Sequence, residues 1–192
     1  LAYFDMFEYP LKKRELFTFL QHPAEYYEFE QALDYLLKES LVFKLNEFYS
    51  ITNNFLLVER RFTGNARAEA LLKKAASGAR LISRFPFVQG VAVSGSLSKN
   101  FADKSADVDY FIITSPNRLW IARSFLHLFK KCTFLVNKQH LYCMNYFIDE
   151  AEPVIVEKNI YTATEVTTLL PMHGSATFEK FFTANNWTTG FL

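Results

Sequence analysis

Cysteine is scarce in this chain of 192 residues, with only Cys132 and Cys143 present. Both lie in apolar surroundings and neither has a second Cys or a His at ligand spacing, so a disulfide framework is excluded and they read as reduced core residues of a cytoplasmic protein. Long apolar runs are missing as well. None approaches the roughly 20 residues that span a bilayer, and the first residues, which begin without Met and carry Asp5 and Glu8, are not expected to be a signal peptide. An excess of one charge is also lacking. The net charge is +1, so nothing global demands a nucleic acid or an anionic membrane as partner, and local charge must decide. His22, His127, His140 and His173 have no second ligand at metal spacing and read as structural or exposed, with His173 beside Gly174 open to acid or base work.

What the chain has in quantity is apolar and aromatic mass. Hydrophobic residues make up 50% of it, with 21 Phe and 10 Tyr, enough for genuine cores in one or two domains. It starts at Leu1 and stops after Trp187-Thr-Thr-Gly-Phe-Leu without a polar tail, so it is expected to be a fragment truncated at its C-terminal end.

Three segments are expected: a first unit over 1–52, a connecting helix over 53–86 and a second domain over 87–192. In the first, 1–8 reads as a short helical turn and 12–20 as a helix with Leu11, Leu16, Phe17 and Leu20 on one face, with breaks at Tyr9-Pro10 and His22-Pro23. Residues 28–39 place Phe29, Leu33, Leu36 and Leu37 at helical spacing, and 41–51 alternate around Asn46-Glu47 as a hairpin. Three helices and a hairpin make a winged-helix-like unit. The reflex inference is DNA binding through the last helix, but the charges oppose it. Residues 24–39 carry Glu25, Glu28, Glu30, Asp34 and Glu39 against Lys38 alone, a net charge of −4 that phosphates would repel. A structural or partner-docking role is the better expectation. The connecting helix, capped by Asn53 or Asn54, ended by Phe85-Pro86 and interrupted at Thr63-Gly64-Asn65, carries +5, and a following helix near 117–131 carries +4 with Arg118, Arg123, Lys130 and Lys131. Such faces are expected to be mostly solvated, although Arg61, counted among the charges, also falls on the apolar stripe with Leu57, Ala68 and Leu71, and Arg123 and Lys99 are the residues to test for phosphate contact.

One constellation points to chemistry. Val91-Ala-Val-Ser-Gly-Ser reads as an apolar strand running into a tight turn, where Gly95 adopts backbone angles that other residues resist and Ser96 caps a following helix. After ten intervening residues come Asp107-Val108-Asp109, read as opening an apolar strand over 107–114. Period-two geometry sends both carboxylates to one face and Val108 to the other. Two neighbouring acids repel, and each stays ionised most readily beside a cation. Hard carboxylate oxygens suit a magnesium ion that keeps some waters and takes other ligands from phosphates.

This pattern resembles the signature of the polymerase-beta-like nucleotidyltransferase superfamily, a hydrophobic residue with Gly-Gly or Gly-Ser, a short spacer, then Asp-hydrophobic-acid-hydrophobic. Ser94-Gly95-Ser96 and Asp107-Val108-Asp109-Tyr110 match at every position but the first, where Ser94 stands beside Val93. The resemblance covers roughly 87–148. It implies an α+β fold in which a small mixed sheet is packed with helices. It also implies that Gly95 and Ser96 hold a triphosphate, with Lys99 near enough to reach it, and that Asp107 and Asp109 hold Mg²⁺ or Mn²⁺. The implied reaction transfers a nucleoside monophosphate from a nucleoside triphosphate to an unidentified acceptor hydroxyl. The alternative is a non-catalytic regulator that senses nucleotide or binds DNA or a protein partner, its transferase domain degenerate.

The family's third carboxylate belongs on the next strand, 141–148, and its absence there is a departure. The interior polar residue of that strand is Asn145, while Asp149 and Glu150 arrive only at its end. Three outcomes stay open: Asp149 completes the site, Asn145 does so as an uncharged oxygen ligand, or the chain binds nucleotide without turning it over. Strand position favours Asn145 as the spatial equivalent. From Glu152 onward the chain reads as helical, with Thr162 and Glu165 in a capping-box arrangement, Pro171 ending that helix, and Phe178, Phe181, Phe182, Trp187 and Phe191 covering the sheet.

Overall fold

The computed structural model describes residues 1–20, 24–135 and 137–191. The break expected at His22-Pro23 and the reading of His22 lie outside those residues. The fold is α+β, with small sheets packed against helices. Two compact units divide between Gly64 and Asn65, with 190–192 grouped with the first. No helix among the described residues is long and apolar enough to cross a membrane.

The first unit begins with α1 (Ala2–Asp5), β1 (Leu11–Lys12) and α2 (Lys13–Thr18), followed by α3 (Tyr26–Lys38), β2 (Phe43–Leu45) and β3 (Phe48–Ser50). β2 and β3 form the expected hairpin, Asn46 supplying the left-handed residue of its turn at φ 57°. Leu11 and Lys12 add a strand too short to read from period, completing an antiparallel sheet in the order β1-β3-β2. The start of α3 is fixed by Glu28, whose carboxylate accepts the Glu25 N–H at 3.3 Å. Glu15 does the same for the Lys12 N–H at 2.8 Å. The acids of α3 are not all left to solvent, since Glu30 pairs with Lys13.

Helix α4 (Leu56–Ile82) starts where the Asn54 side chain accepts the Leu56 N–H at 3.0 Å, and it continues through Gly64 without a break. Arg61 corrects the expectation of a solvated basic face. It is 3% exposed, its guanidinium lies 3.7 Å from the Tyr9 ring centroid, and it donates to Glu15 at 2.6 Å. A guanidinium stacked on an aromatic face and paired with a carboxylate tolerates burial that an isolated charge would not.

In the second unit, β4 (Val88–Val93) leads through the single-turn α5 (Gly95–Ser98) to β5 (Asp109–Thr114). Helix α6 (Leu119–Phe134) then crosses to β6 (Cys143–Asp149), which lies parallel to β5, as a helical crossover permits. After α7 (Ile160–Thr167) the chain forms β7 (Leu170–His173), antiparallel to β4, and α8 (Ser175–Ala184). The sheet order is β6-β5-β4-β7. β7 corrects the expectation of an all-helical tail. Pro171 sits in this edge strand, where a missing N–H is tolerated, and four residues with a proline give no period-two signal.

Alternation along β5 sorts the core. Val108, Tyr110 and Ile112 pack with Val91, Val93 and with Ala75, Ala79, Ile82 and Leu126 of α4 and α6. Phe111 and Ile113 face the other way, onto Ala92, Val166, Phe178 and Phe181. Tyr110 donates to the Ala75 carbonyl at 3.0 Å, and its burial pushes the phenol pKa up. Phe178, Phe181, Phe182 and Trp187 belong to the second core, as read from the sequence. Asn185 is wholly buried at the end of α8 and uses both ends of its amide. Its Nδ2 donates to the Pro153 carbonyl at 2.8 Å and the Phe181 carbonyl at 2.9 Å, while Oδ1 accepts the Ile155 N–H at 2.8 Å and Trp187 Nε1–H at 3.1 Å. Cys132 is exposed and Cys143 half-buried, both as free thiols, so neither belongs to a core.

Candidate functional site

Where β4 ends, the Ser94 N–H donates to the Asp109 carbonyl at 2.9 Å, which brings the turn beside the first residue of β5. Gly95 follows at φ 68°, and a Cβ there would stand 2.8 Å from Asp109 Oδ2. Glycine is thus required twice, by the left-handed backbone and by the carboxylate against its Cα. Ser96 does not cap α5, correcting its expected role. It lies within the turn, exposed, and its carbonyl accepts the N–H groups of Lys99 and Phe101 at 3.1 Å each. Ser94 occupies the cap position, without a side-chain capping bond.

Asp109 opens β5, half-buried, and its Oδ1 accepts Asn145 Nδ2–H at 3.1 Å. Burial raises its pKa above the usual carboxylate range, with the charges of Asp107 and Glu165 adding to the rise. A hydrogen bond with the Cys143 thiol and the charge of Lys130 oppose it. Asp107 does not share the strand, contrary to expectation. Strand-type bonding reaches only Val108, whose N–H donates to the His140 carbonyl at 2.9 Å and whose carbonyl accepts the Cys143 N–H at 3.0 Å. Asp107 is the exposed residue just outside, close enough for its charge to act on Asp109.

The strand β6 brings Asn145, and not Asp149, to this point. Tyr110 pairs with Met144 and Phe111 with Tyr146, so Asn145 is the extra residue of a register shift, which turns its amide onto Asp109. Asp149 pairs with Thr114 at the far end, about 17 Å along the strand from Asp109, and accepts the Ala151 N–H at 2.9 Å.

Lys99 is turned inward. Its Nζ donates to the Gly95 carbonyl at 3.0 Å and to Glu165 Oε1 at 2.6 Å. Glu165 Oε2 in turn accepts the Gly95 N–H at 3.3 Å. Sequence reasoning missed this role of Glu165, because Thr162-x-x-Glu165 fits a local capping box. The cap of α7 is Asn159, whose Oδ1 accepts the Thr162 N–H at 2.9 Å and whose own N–H donates to Thr162 Oγ1 at 3.1 Å, leaving Glu165 to reach the Gly95 turn. Arg123 is engaged elsewhere, donating to His127 Nε2 at 3.4 Å and lying over Trp120 and Phe147. His173 is exposed on the edge strand.

Beside these groups opens a cavity of about 710 Å³, with Ser94, Gly95, Asp109, Asn145 and Glu165 at one end and an apolar wall from β6, α7 and the loop between them. Among the described residues no group of three or more His, Cys, Asp or Glu side chains is arranged to hold a metal ion. The site brings together Gly95, Lys99, Asp109 and Asn145, keeps Asp107 at its edge, leaves the Ser96 hydroxyl without an assigned part, and adds Glu165. No protein-family model, no curated protein and no solved structure matches the chain.

Proposed function

We propose that the second unit is a metal-dependent nucleotidyltransferase of the polymerase-beta-like kind, moving a nucleoside monophosphate from a nucleoside triphosphate to an acceptor hydroxyl. The observation that carries the reading is the apposition of the Gly95 turn and the Asp109 carboxylate, so close that a side chain at 95 would meet Asp109 Oδ2 at 2.8 Å. A structural turn has no use for a half-buried acid held against it, whereas a site joining phosphate to metal needs both. In the reaction, the acceptor oxygen bonds to the α-phosphorus in line as the bond to the β-phosphate oxygen breaks, and pyrophosphate leaves.

The residues present suit magnesium or manganese as a substrate-borne ion. One carboxylate and a second at its edge make no closed cage, but they match an ion that keeps waters and takes oxygens from phosphates, while the Asn145 amide presents its Nδ2–H to Asp109. Asp107 and Asp109 would hold it, and a cation there would offset the burial and, after it, the neighbouring negative charge that raise the Asp109 pKa. Bound in this way, the ion neutralises charge building on the phosphates. Asn145 fixes the rotamer of Asp109. It cannot take a proton, so the acceptor hydroxyl must lose its proton to Asp109 or Glu165, the acids near the turn. Lys99 Nζ and the Gly95 N–H serve the phosphates, once the Glu165 carboxylate that now accepts from both has been displaced.

In the same reading the first unit is of winged-helix type, with the acidic α3 suited to a protein partner and not to DNA. A second reading, a nucleotide-sensing regulator without turnover, is favoured by one observation: the third carboxylate is replaced by Asn145. Calorimetric titration of ATP, GTP, CTP and UTP with and without Mg²⁺, followed by a pyrophosphate assay over mixed acceptors, separates them. The transferase reading expects binding strengthened by Mg²⁺, loss of that strengthening in the Asp107→Ala, Asp109→Ala double variant, and pyrophosphate release. Mg²⁺-dependent binding without pyrophosphate favours the regulator, and no Mg²⁺-dependent binding refutes both.

A further inference from the structure

The cavity beside Asp109 has a chemical character that a triphosphate site does not explain. Its wall holds four acids, Asp109, Glu152, Glu157 and Glu165, and no Lys, Arg or His among the described residues that line it. Asp109 and Glu165 sit part-buried at the inner end, while Glu152 and Glu157 are exposed toward the mouth. The rest of the wall is apolar and aromatic. Phe111 and Tyr146 stack at 5.1 Å between centroids and 7° between planes, and two tyrosines that line the cavity are well exposed, Tyr146 of β6 at 46% and Tyr161 of α7 at 53%. Lys99, the base closest to the Gly95 turn, is already committed to Glu165 and the Gly95 carbonyl, and Lys130, whose charge reaches Asp109, does not line the cavity.

We propose that this cavity binds a small organic cation, an ammonium-bearing molecule with an apolar or aromatic body. The two halves of that ligand answer two features of the wall. Carboxylates set among low-dielectric walls concentrate negative potential and draw a cation inward. Exposed aromatic faces hold an ammonium by its attraction to the ring and its apolar body by burial. The four carboxylates disfavour a triphosphate in the body of the cavity, so its phosphates belong at the Gly95 edge, where Lys99 lies. A bare divalent ion needs neither about 710 Å³ nor aromatic walls. The same carboxylates bear on Tyr161, whose phenol pKa is raised first by the charge of Glu165, then by burial and by Asp109. That the cation is the acceptor, an amino alcohol whose hydroxyl meets the α-phosphorus, rests on the transferase reading; that it binds does not.

The test uses the full chain without nucleotide or metal. Phenethylammonium, neutral 2-phenylethanol and anionic 3-phenylpropionate, alike in size and ring, are titrated at fixed ionic strength by calorimetry and ligand-observed NMR. Phenethylammonium is expected to bind at least tenfold tighter than the alcohol, with the carboxylate weakest. Its affinity should fall about tenfold in Tyr161→Ala and in the Glu152→Gln, Glu157→Gln double variant, whose exposed positions leave folding intact. Equal binding of the alcohol would make the cavity a general apolar or nucleobase pocket and overturn the proposal, as would tighter binding of the carboxylate or no binding of the ammonium probe. Because the Mg²⁺ and ATP titration is separate, failure of the transferase reading leaves this result interpretable, and the reverse holds.

Discussion

Replacing Gly95 by alanine isolates the contact on which the site is built. Two costs apply. Holding a non-glycine residue at φ 68° costs about 1 kcal/mol. The new methyl also lies 2.8 Å from Asp109 Oδ2, so the carboxylate must swing away and give up its 3.1 Å bond from Asn145. That bond involves a charged acceptor but an exposed donor, which puts its loss at about 1.5 kcal/mol, the low end for charged hydrogen bonds. The expected total is about 2.5 kcal/mol. Both tryptophans of the chain, Trp120 and Trp187, lie in the second unit, so urea unfolding followed by tryptophan fluorescence reads that unit directly. An Asp109→Ala background removes the colliding oxygen, and there Gly95→Ala should cost only the backbone part, about 1 kcal/mol. Gly174→Ala provides the upper comparison, since its methyl would meet the Gln89 carbonyl oxygen at 2.1 Å and backbone cannot swing aside. An identical Gly95→Ala cost in both backgrounds would refute the reasoning, as would a neutral Gly95→Ala.

Asp109→Asn tests the electrostatics of the same carboxylate. Its folded pKa is raised, so the protonated form contributes stability that is full below the unfolded carboxylate value and is lost as pH rises through the folded one. The Asn variant, neutral throughout, should therefore gain on the wild-type protein as pH climbs from about 3 toward 7, read from urea midpoints across that window; a wild-type protein that gains instead would contradict the sign. Lys99 and Glu165 are 16% and 26% exposed, sheltered enough for their ion pair to count. A double-mutant cycle with Lys99→Met and Glu165→Gln should show a coupling of about 1–2 kcal/mol in unfolding free energy, and a coupling near zero would mean the pair is not formed in solution.

The elements that the sequence made legible are those whose periodicity is long or whose turn chemistry is distinctive. β4, β5 and β6 are apolar runs, α4 carries a sustained stripe, and Asn46-Glu47 marks a hairpin at residues free to turn. The convergence of Gly95 with Asp109 and of Asn145 with Asp109 was expected through the resemblance that the Gly-Ser and Asp-x-Asp pattern carries, and spacing alone did not give it. What escaped was decided by longer-range contacts. β1 and β7 are short and owe their strand geometry to partners distant in sequence, β3 and β4. Arg61 looked like any helical arginine until Tyr9 and Glu15 folded over it. Glu165 matched a local capping template that Asn159 fulfils, and nothing near it in sequence hints at Gly95, seventy residues away. Asp107 fell outside β5 because one residue of pairing, at Val108, is where the ladder stops.

The amide of Asn185 governs how the cavity can behave. Val154 and Val156 are 48% and 89% exposed, yet Ile155 between them is 6% exposed and tied through its N–H to Asn185, which also grips the Pro153 carbonyl. The wall is therefore nailed at its centre, and its outer side chains can turn while its backbone stays put. Were the cavity to take the ligand proposed above, a wall held in this way would discriminate by breadth as well as by charge, since the segment around Ile155 cannot shift without giving up its bonds to Asn185.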